Sequence, residues 1–340
     1  MAAKGSRGKK TKARRLQPGL WLTIGALAMG GFGCGLVIGT QIPEKEPVEK
    51  PFETALAPLP FSLPAPVPAS QPPEVIPEPV PAVLAPPPAP APTIGPAWQR
   101  FAQKPPALSG RIPITVVIDD MGVDHKRSQR TTMLPGPLTL SYLPYARDLS
   151  AQAAAAFATG HELMLHMPMQ AETSHVDPGP NPLLVGLGPE EIRRRVRAGL
   201  SSFNGFVGVN NHMGSRFTAD TPGMSIVMQE LQAAGVLWLD SRTTPRTVGV
   251  PLAKAKGIPT LSRDVFLDDD PKLAAVRKQL ATLETVARKH GHGIAIGHPK
   301  DDTITALAEW LPTLPGKGFV LVPITALLPQ SGHTDVATTK

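Results

Sequence analysis

The chain has 340 residues and a formal net charge of +7. Residues 1–18 hold seven Lys and Arg and no acidic residue, so the remainder is close to neutral. A nucleic-acid-binding domain needs its excess positive charge in the folded part, which argues against a nucleic-acid partner. The single cysteine, Cys34, excludes an intramolecular disulfide.

The N-terminal region has the pattern of a membrane protein. Residues 19–41 carry no charge, and about 23 residues can cross a hydrocarbon core of about 30 Å as a helix. The cations before this run predict a basic cytoplasmic tail over 1–18, a single-pass anchor over 19–41 in a bacterial inner membrane, and the rest of the chain in the periplasm. A cleaved signal peptide is the alternative. Gly31, Gly35 and Gly39 share one helix face, a spacing that permits helix-mediated self-association but also reflects the frequency of Gly in membrane helices.

Residues 42–110 hold 21 of the 41 prolines. A segment with so few apolar side chains to bury is predicted to be a disordered, extended linker. It would tether the membrane anchor to the domain that follows. A short disordered tail is expected at residues 330–340.

Residues 111–329 are predicted to form one α/β domain. Four helix starts are indicated by Ser150 as a cap, Pro189, Thr221 with Pro222, and Asp270 as a cap before Pro271. Helices between strands imply a parallel sheet, and about seven units favour a closed or nearly closed barrel. The predicted strands are residues 114–118, 138–142, 162–166, 206–210, 236–239, 293–297 and 319–322.

Two adjacent carboxylates, Asp119 and Asp120, close the first apolar strand. Burying them is costly unless a cation or a proton-transfer role uses them. Successive side chains of a strand point in opposite directions, so one carboxylate is expected to bind a metal and the other to act as a base. The alternative is that the pair caps the next helix.

Histidines end two further predicted strands, His166 and His212. With one carboxylate they form an Asp/His/His set that leaves a fourth position open on a divalent ion, with zinc the expected metal. A lone strand-end histidine is usually structural, but two beside a tandem Asp favour a site. His161 is excluded, because its odd spacing from His166 puts it on the other face of the strand.

Other polar residues follow strands or turns and are candidates to line the same mouth. They are His298 after the strand ending at Gly297, and the supporting or substrate-binding candidates Asn211, Asp240, Arg263 and Asp264. Arg263 is predicted to hold Asp119 or a substrate oxygen, with a plain surface pair as the alternative. Asp268 is assigned to a helix N-terminus rather than to a metal. Serine hydrolase, NTPase and dinucleotide motifs are absent from the sequence.

Five segments together resemble the divergent polysaccharide deacetylase family: Val117–Gly122, Leu165–Met169, Gly208–Ser215, Leu239–Arg242 and Ile296–Pro299. This resemblance covers nearly all of residues 111–329. It implies a distorted (β/α) barrel and metal-dependent de-N-acetylation of amino sugars. It also implies that Asp119 is the catalytic base, Asp120 a metal ligand and His298 the general acid.

One feature departs from the wider superfamily, which usually takes both metal histidines from one H-x-x-x-H segment. This chain would take them from separate strands, as His166 and His212. The expected substrate is an envelope amino-sugar polymer or oligosaccharide, such as one related to peptidoglycan. The alternatives are a non-catalytic glycan-binding or scaffold module that keeps the barrel, and a different metal hydrolase such as a phosphoesterase.

Overall fold

A computed structural model describes residues 95–328 of the chain. The predicted basic tail, membrane anchor, C-terminal tail and all but the last residues of the predicted linker lie outside this range. Within residues 95–328, no helix is both long enough and apolar enough to cross a membrane.

Helices and strands alternate along the described residues. The helices are α1 Ala97–Arg100, α2 His125–Thr132, α3 Leu149–Ala158, α4 Pro189–Leu200, α5 Thr221–Ala234, α6 Gly249–Ala255, α7 Leu273–His290 and α8 Asp301–Trp310. The strands are β1 Ile112–Met121, β2 Thr139–Tyr142, β3 Glu162–Met169, β4 Gly208–Met213, β5 Leu237–Asp240, β6 Thr260–Ser262, β7 Val265–Phe266, β8 Gly293–Gly297 and β9 Phe319–Leu321. Short 3-10 helices occur at Phe217–Ala219, Leu311–Thr313, Pro315–Lys317 and Ile324–Leu327.

All nine strands of residues 95–328 belong to one parallel sheet, in the order β6-β5-β4-β3-β2-β1-β8-β7, with β9 paired to β1. The seven predicted strands are present, and β6 and β7 are additional short ones. The sheet is a curled half-barrel, because the path runs from β6 to β7 and these two strands do not pair with each other among the described residues. This agrees with the predicted parallel α/β architecture and specifies how the barrel is distorted.

Alternate side chains along the strands belong to two different apolar clusters. Val116 and Ile118 pack with the helices in the larger cluster, whereas Val117 lies in a second cluster on the inner face of the curled sheet. Because strand side chains alternate, polar residues two positions beyond an inner apolar residue share its face. Four strands show this relation: Val117 and Asp119, Met164 and His166, Leu239 and Ser241, and Ile296 and His298. The alternation therefore directs polar side chains to the interior at the carboxyl ends of the strands.

Helix starts agree with the sequence at α4 and α5. Pro189 occupies the first turn of α4, and α5 begins at Thr221. Asp220 caps α5, because its side chain accepts a hydrogen bond from the Gly223 amide. Gly235 ends α5 in the left-handed conformation that a residue with no Cβ adopts at least cost.

Two predicted caps are wrong. Helix α3 begins at Leu149, one residue before Ser150, so Ser150 lies inside the helix. Asp270 precedes a proline, which disfavours helical backbone at that position. Its carboxylate instead accepts a hydrogen bond from the Lys272 amide in a turn, and α7 begins at Leu273.

Residues 95–103 belong to the folded domain, which corrects the predicted extent of the linker. The Trp98 amide donates to the Gly235 carbonyl at 3.0 Å. The Gln103 amide donates to Glu162 Oε1 at 3.2 Å. A few directed hydrogen bonds fix this segment, which directly follows the proline-rich run.

Candidate active site

A pocket of about 260 Å³ opens at the carboxyl ends of the strands. This is the edge at which parallel α/β sheets bind their ligands. The lining residues are Asp119, Asp120, His166, Asn211, His212, Met213, Ser241, Thr243, Arg263, Phe266, Ile296 and His298. Seven of the nine site residues named from the sequence therefore line one cavity, and Asp240 and Asp264 do not. A larger cavity of about 790 Å³ lies between α2 and α3, away from these residues.

Both carboxylates of the tandem Asp face this pocket, contrary to the expectation that they point in opposite directions. The register between β1 and β2 shifts between Ile118 and Met121. Asp120 has a φ of 57°, in the left-handed region that non-glycine residues rarely occupy. The bulge and this backbone conformation turn Asp120 toward the side on which Asp119 already lies. Such strain persists where surrounding structure fixes it, often at functional sites.

Asp120, His166 and His212 form a cluster whose potential ligand atoms all lie within 4.8 Å of one another. Asp120 Oδ1 is 2.8 Å from His212 Nδ1 and 3.4 Å from His166 Nε2. Among the described residues, this buried oxygen makes no hydrogen bond of acceptable geometry. An unsatisfied carboxylate oxygen facing two ring nitrogens is the arrangement expected of ligands that share a cation.

Asn210 connects the metal cluster to Asp119, and sequence reasoning missed it in favour of Asn211. Its side-chain oxygen accepts from Ser141 Oγ at 2.6 Å and lies 2.9 Å from His166 Nδ1. Its nitrogen donates to Asp119 Oδ1 at 2.8 Å. The carbonyl requires a proton on His166 Nδ1, which leaves Nε2 free to bind a metal. The missed signal is that Asn210, not Asn211, shares an inner-face spacing with His212.

The charges in this cluster oppose one another. Burial raises the pKa of Asp119, although His166, His298 and the hydrogen bond from Asn210 partly offset this. Burial also raises the pKa of Asp120, but His166 and His212 outweigh it and hold that pKa well below its usual range. Asp119 is thus the carboxylate better suited to accept a proton, and Asp120 the one that stays charged as a ligand.

His298 is fixed by Asp268, which the sequence assigned only to a helix N-terminus. Asp268 is fully buried, and its Oδ1 lies 2.9 Å from His298 Nδ1. Its Oδ2 accepts from the His298 amide and from Thr303 Oγ1. Burial lowers the pKa of His298, but the hydrogen bond and charge of Asp268 outweigh burial and raise it. Nε2 of His298 faces Asp120 Oδ2 at 3.8 Å.

Asn211 and Arg263 line the pocket but make structural contacts. Asn211 Oδ1 accepts from the Ser241 amide at 3.0 Å, and its nitrogen donates to the Met213 carbonyl at 2.7 Å. Arg263 Nε donates to the Ser241 carbonyl at 2.7 Å, and Nη2 donates to the Arg242 carbonyl at 3.0 Å. Among the described residues Arg263 has no carboxylate within 4.0 Å, so neither a hold on Asp119 nor a surface pair is formed.

The structure does not place Asp240 and Asp264 in the pocket. Asp240 Oδ1 accepts from the Arg242 amide and Oδ2 from Thr247 Oγ1, which stabilises the turn after β5. Asp264 Oδ2 accepts from the Ile294 amide between β7 and β8. Strand-end position alone suggested these residues, and their backbone partners consume their oxygens.

A divalent cation fits the residues present. The donor set is one carboxylate and two imidazoles, the set that suits zinc and related ions. Asp120 Oδ1 lacks a hydrogen bond among residues 95–328, and the Asn210 carbonyl leaves His166 Nε2 free. His161 is remote from this cluster, since its ring contacts the Leu138 amide and the Thr132 carbonyl.

The parallel half-barrel carries this cluster at the carboxyl ends of its strands. The family model for divergent polysaccharide deacetylases matches residues 116–328, and the chain belongs to that family. The resemblance drawn from five sequence segments is therefore confirmed.

Related proteins cover the same region. The chain is 36% identical over 202 residues to an uncharacterized protein of Haemophilus influenzae, which is 59% of this chain and 72% of that one. It is 34% identical over 223 residues to the uncharacterized protein YibQ of Escherichia coli K12, covering 66% of this chain and 69% of YibQ. The crystal structure of the uncharacterized protein ATU2773 from Agrobacterium tumefaciens C58 superposes with a TM-score of 0.66 at 26% identity, covering 68% of this chain and 95% of that one.

Proposed function

We propose that the protein is a metal-dependent carbohydrate deacetylase that hydrolyses the N-acetyl group of an amino sugar. Membership of the divergent polysaccharide deacetylase family supports the reaction class. The observation that carries the metal is the buried Asp120 Oδ1, which has two imidazole nitrogens within 3.4 Å and no hydrogen bond among the described residues.

Asp120, His166 and His212 would hold the ion. A divalent ion supplies Lewis-acid polarisation of the acetamide carbonyl and lowers the pKa of bound water. Zinc is the ion that this donor set suits best.

The remaining residues divide the proton transfers. Asp119 accepts the proton of the attacking water, and Asn210 orients its carboxylate through the 2.8 Å hydrogen bond. His298 gives the proton on Nε2 to the departing nitrogen as the amide C–N bond breaks. Asp268 holds the opposite ring nitrogen and favours the protonated imidazole. The products are acetate and a free amino sugar.

The substrate we propose is an envelope glycan related to peptidoglycan. This follows from the N-terminal pattern, in which the uncharged run 19–41 would anchor the chain in the inner membrane with the catalytic domain in the periplasm. Self-association through Gly31, Gly35 and Gly39 is part of the same proposal.

The test is acetate release from N-acetylated glycans by the purified, metal-loaded chain. We expect release from an acetylated amino-sugar polymer that stops when the metal is chelated and resumes when it is restored. Metal and glycan binding with no acetate from any polymer would favour the scaffold alternative. Phosphate release from phosphorylated sugars without acetate release would favour a phosphoesterase.

A further inference from the structure

Two arginines near the pocket, Arg263 and Arg242, have no carboxylate within 4.0 Å among the described residues. Arg263 lines the cavity, and its guanidinium lies 5.0 Å from the centre of the Phe266 ring. Its Nε and Nη2 donate to main-chain carbonyls, whereas its Nη1 has no hydrogen bond among residues 95–328. Phe266 in turn packs edge-on to His298 at 5.7 Å. The cation therefore shares a wall with the residue proposed to protonate the leaving nitrogen.

Arg242 is held firmly by its backbone and not by its side chain. It has a φ of 52°, and its amide donates to Asp240 Oδ1 at 2.8 Å. Its carbonyl accepts from Arg263 at 3.0 Å. Its exposed side chain makes no hydrogen bond or ion pair with any described residue. The surroundings thus maintain a strained backbone at a residue whose guanidinium has no structural partner.

The two guanidinium groups repel each other. Burial lowers the pKa of Arg263 and the positive charge of Arg242 lowers it further, and the more distant Asp119, Asp240 and Asp269 offset this only in part. A partly buried cation beside a second cation is unfavourable unless an anion lies between them. A nearby arginine of the same loop is neutralised, since Arg246 Nη2 lies 3.0 Å from Glu172 Oε2. Arg263 and Arg242 thus place two cationic side chains without an ion pair among the described residues next to the pocket.

We infer that Arg263 and Arg242 form a subsite for an anionic substituent of the glycan, so that the substrate is an acidic N-acetylated sugar. This deepens the proposed function and rests on it. Guanidinium groups recognise carboxylate and phosphate oxygens by charge-assisted hydrogen bonds. A pocket of about 260 Å³ is smaller than the roughly 300–1,000 Å³ that encloses a drug-sized ligand. It suits one sugar unit, which places the anion on the reacting sugar or its direct neighbour.

The first experiment compares matched substrates with the purified full chain. An oligosaccharide of N-acetylglucosamine and N-acetylmuramic acid carries a lactyl carboxylate, and its amidated form is a neutral isostere. We expect kcat/KM for acetate release to be about 10-fold to 100-fold higher for the acid, the range of one charge-assisted hydrogen bond. The preference should fall as salt is added, since screening weakens exposed charges. A third arm uses a phosphorylated N-acetylglucosamine oligomer, and a higher rate on it than on the carboxylate would identify phosphate as the anion.

Arg242→Gln is the decisive variant, because this side chain has no partner among the described residues and its loss leaves the fold intact. We expect the ratio of acid to amide kcat/KM to fall to about 1–3, as the charge-assisted hydrogen bond is lost. Arg246→Gln is the matched control, since it removes a cation from the same loop that Glu172 already neutralises. It should keep the wild-type ratio.

The outcomes separate this inference from the proposed function. Acetate release at equal rates from the acid and the amide would overturn the anionic subsite and leave the deacetylase intact. If no substrate releases acetate, the proposed reaction is wrong, and calorimetry with the same two glycans decides the subsite. Tighter binding of the acid that Arg242→Gln abolishes would still support it, and equal binding would overturn it.

Discussion

Buried carboxylates occur at both ends of the half-barrel strands, and their surroundings differ. At the carboxyl ends, Asp120 has a left-handed backbone and a buried oxygen without a hydrogen bond among the described residues. At the amino end of β3, Glu162 accepts hydrogen bonds from the Thr325 amide and hydroxyl and from the Gln103 amide. Asp120 thus keeps an oxygen available to a ligand. Glu162 instead connects the N-terminal and C-terminal segments of the domain through its hydrogen bonds.

This difference separates a functional carboxylate from a structural one. Burial raises the pKa of Glu162 to about 7 despite its hydrogen bonds. A perturbed pKa alone therefore does not mark a site, since structural groups are perturbed as well. The carboxyl ends of the strands are distinguished as a site by three features together: the strained backbone of Asp120, its oxygen without a hydrogen bond, and two histidines within reach of it.

Among changes at the carboxyl ends of the strands, Asp119→Asn is expected to lower turnover most. The amide cannot accept a proton from water, so turnover should fall by about 10²–10⁴-fold. Metal content should be unchanged, since Asp119 is not a ligand in this account. Acetate assays with metal analysis measure both. Asp148→Asn, an exposed position whose side chain does not cap α3, is the control and should be neutral. Loss of the metal in Asp119→Asn would contradict the division of roles.

Asp268→Asn, also at the carboxyl ends of the strands, should lower turnover less. Loss of a residue that orients a catalytic imidazole is expected to lower kcat by about 10-fold to 100-fold. Because Asp268 raises the pKa of His298, the variant should lower that pKa and move the alkaline limb of kcat/KM to lower pH. The pH profile is the measurement, with exposed Asp269→Asn as control. An unmoved alkaline limb would exclude His298 as the proton donor.

At the amino ends of the strands, Glu162→Gln tests the structural role of the buried carboxylate through the free energy of unfolding. The folded-state pKa of Glu162 is raised from 4.5 to about 7, so the native state binds the proton more tightly than the unfolded state. This group's contribution is favourable at low pH and is lost as pH rises from about 4.5 to about 7. The unfolding free energy of Glu162→Gln relative to wild type should therefore rise by about 2–3 kcal/mol from pH 5 to pH 8. Urea unfolding at both values measures this, and a constant difference would contradict it. Acetate release should change little.

Removing residues 1–106 should have a smaller effect on the stability of the domain. A chain beginning at residue 107 loses the Gln103 hydrogen bond to Glu162 and the Trp98 hydrogen bond to Gly235. Each is worth about 0.5–1.5 kcal/mol, so it should be less stable than a chain beginning at residue 95 by about 1–3 kcal/mol. Equal melting temperatures would show that this segment contributes nothing to the domain.

Much of the fold was predictable from local pattern. Apolar runs and helix starts indicated a parallel α/β sheet, because helices between strands permit no other pairing. Strands β6 and β7 were missed because two or three residues carry no periodic signal. The segment 95–103 was missed because it directly follows the proline-rich run, while its contacts are made with residues far away in sequence.

The site was predictable where side chains follow strands at an inner-face spacing. Asp119, His166, His212 and His298 line the pocket in this way, whereas Asp120 reaches it through the register shift in β1. Asn210 and Asp268 were missed because their importance lies in hydrogen bonds across 44 and 30 residues of chain, which no local pattern shows. Asp240 and Asp264 were included for their strand-end position, but backbone amides and a hydroxyl occupy their oxygens.

The metal content of Asp120→Ala, compared with wild type, shows whether Asp120, His166 and His212 hold a cation. Calorimetric titration with zinc and elemental analysis of the purified chain should give one ion per wild-type molecule. The variant should lose that site, because it keeps two neutral imidazoles and no carboxylate to compensate the charge of the ion. Stoichiometric zinc in Asp120→Ala, or none in the wild type, would contradict the account of the cluster formed by Asp120, His166 and His212.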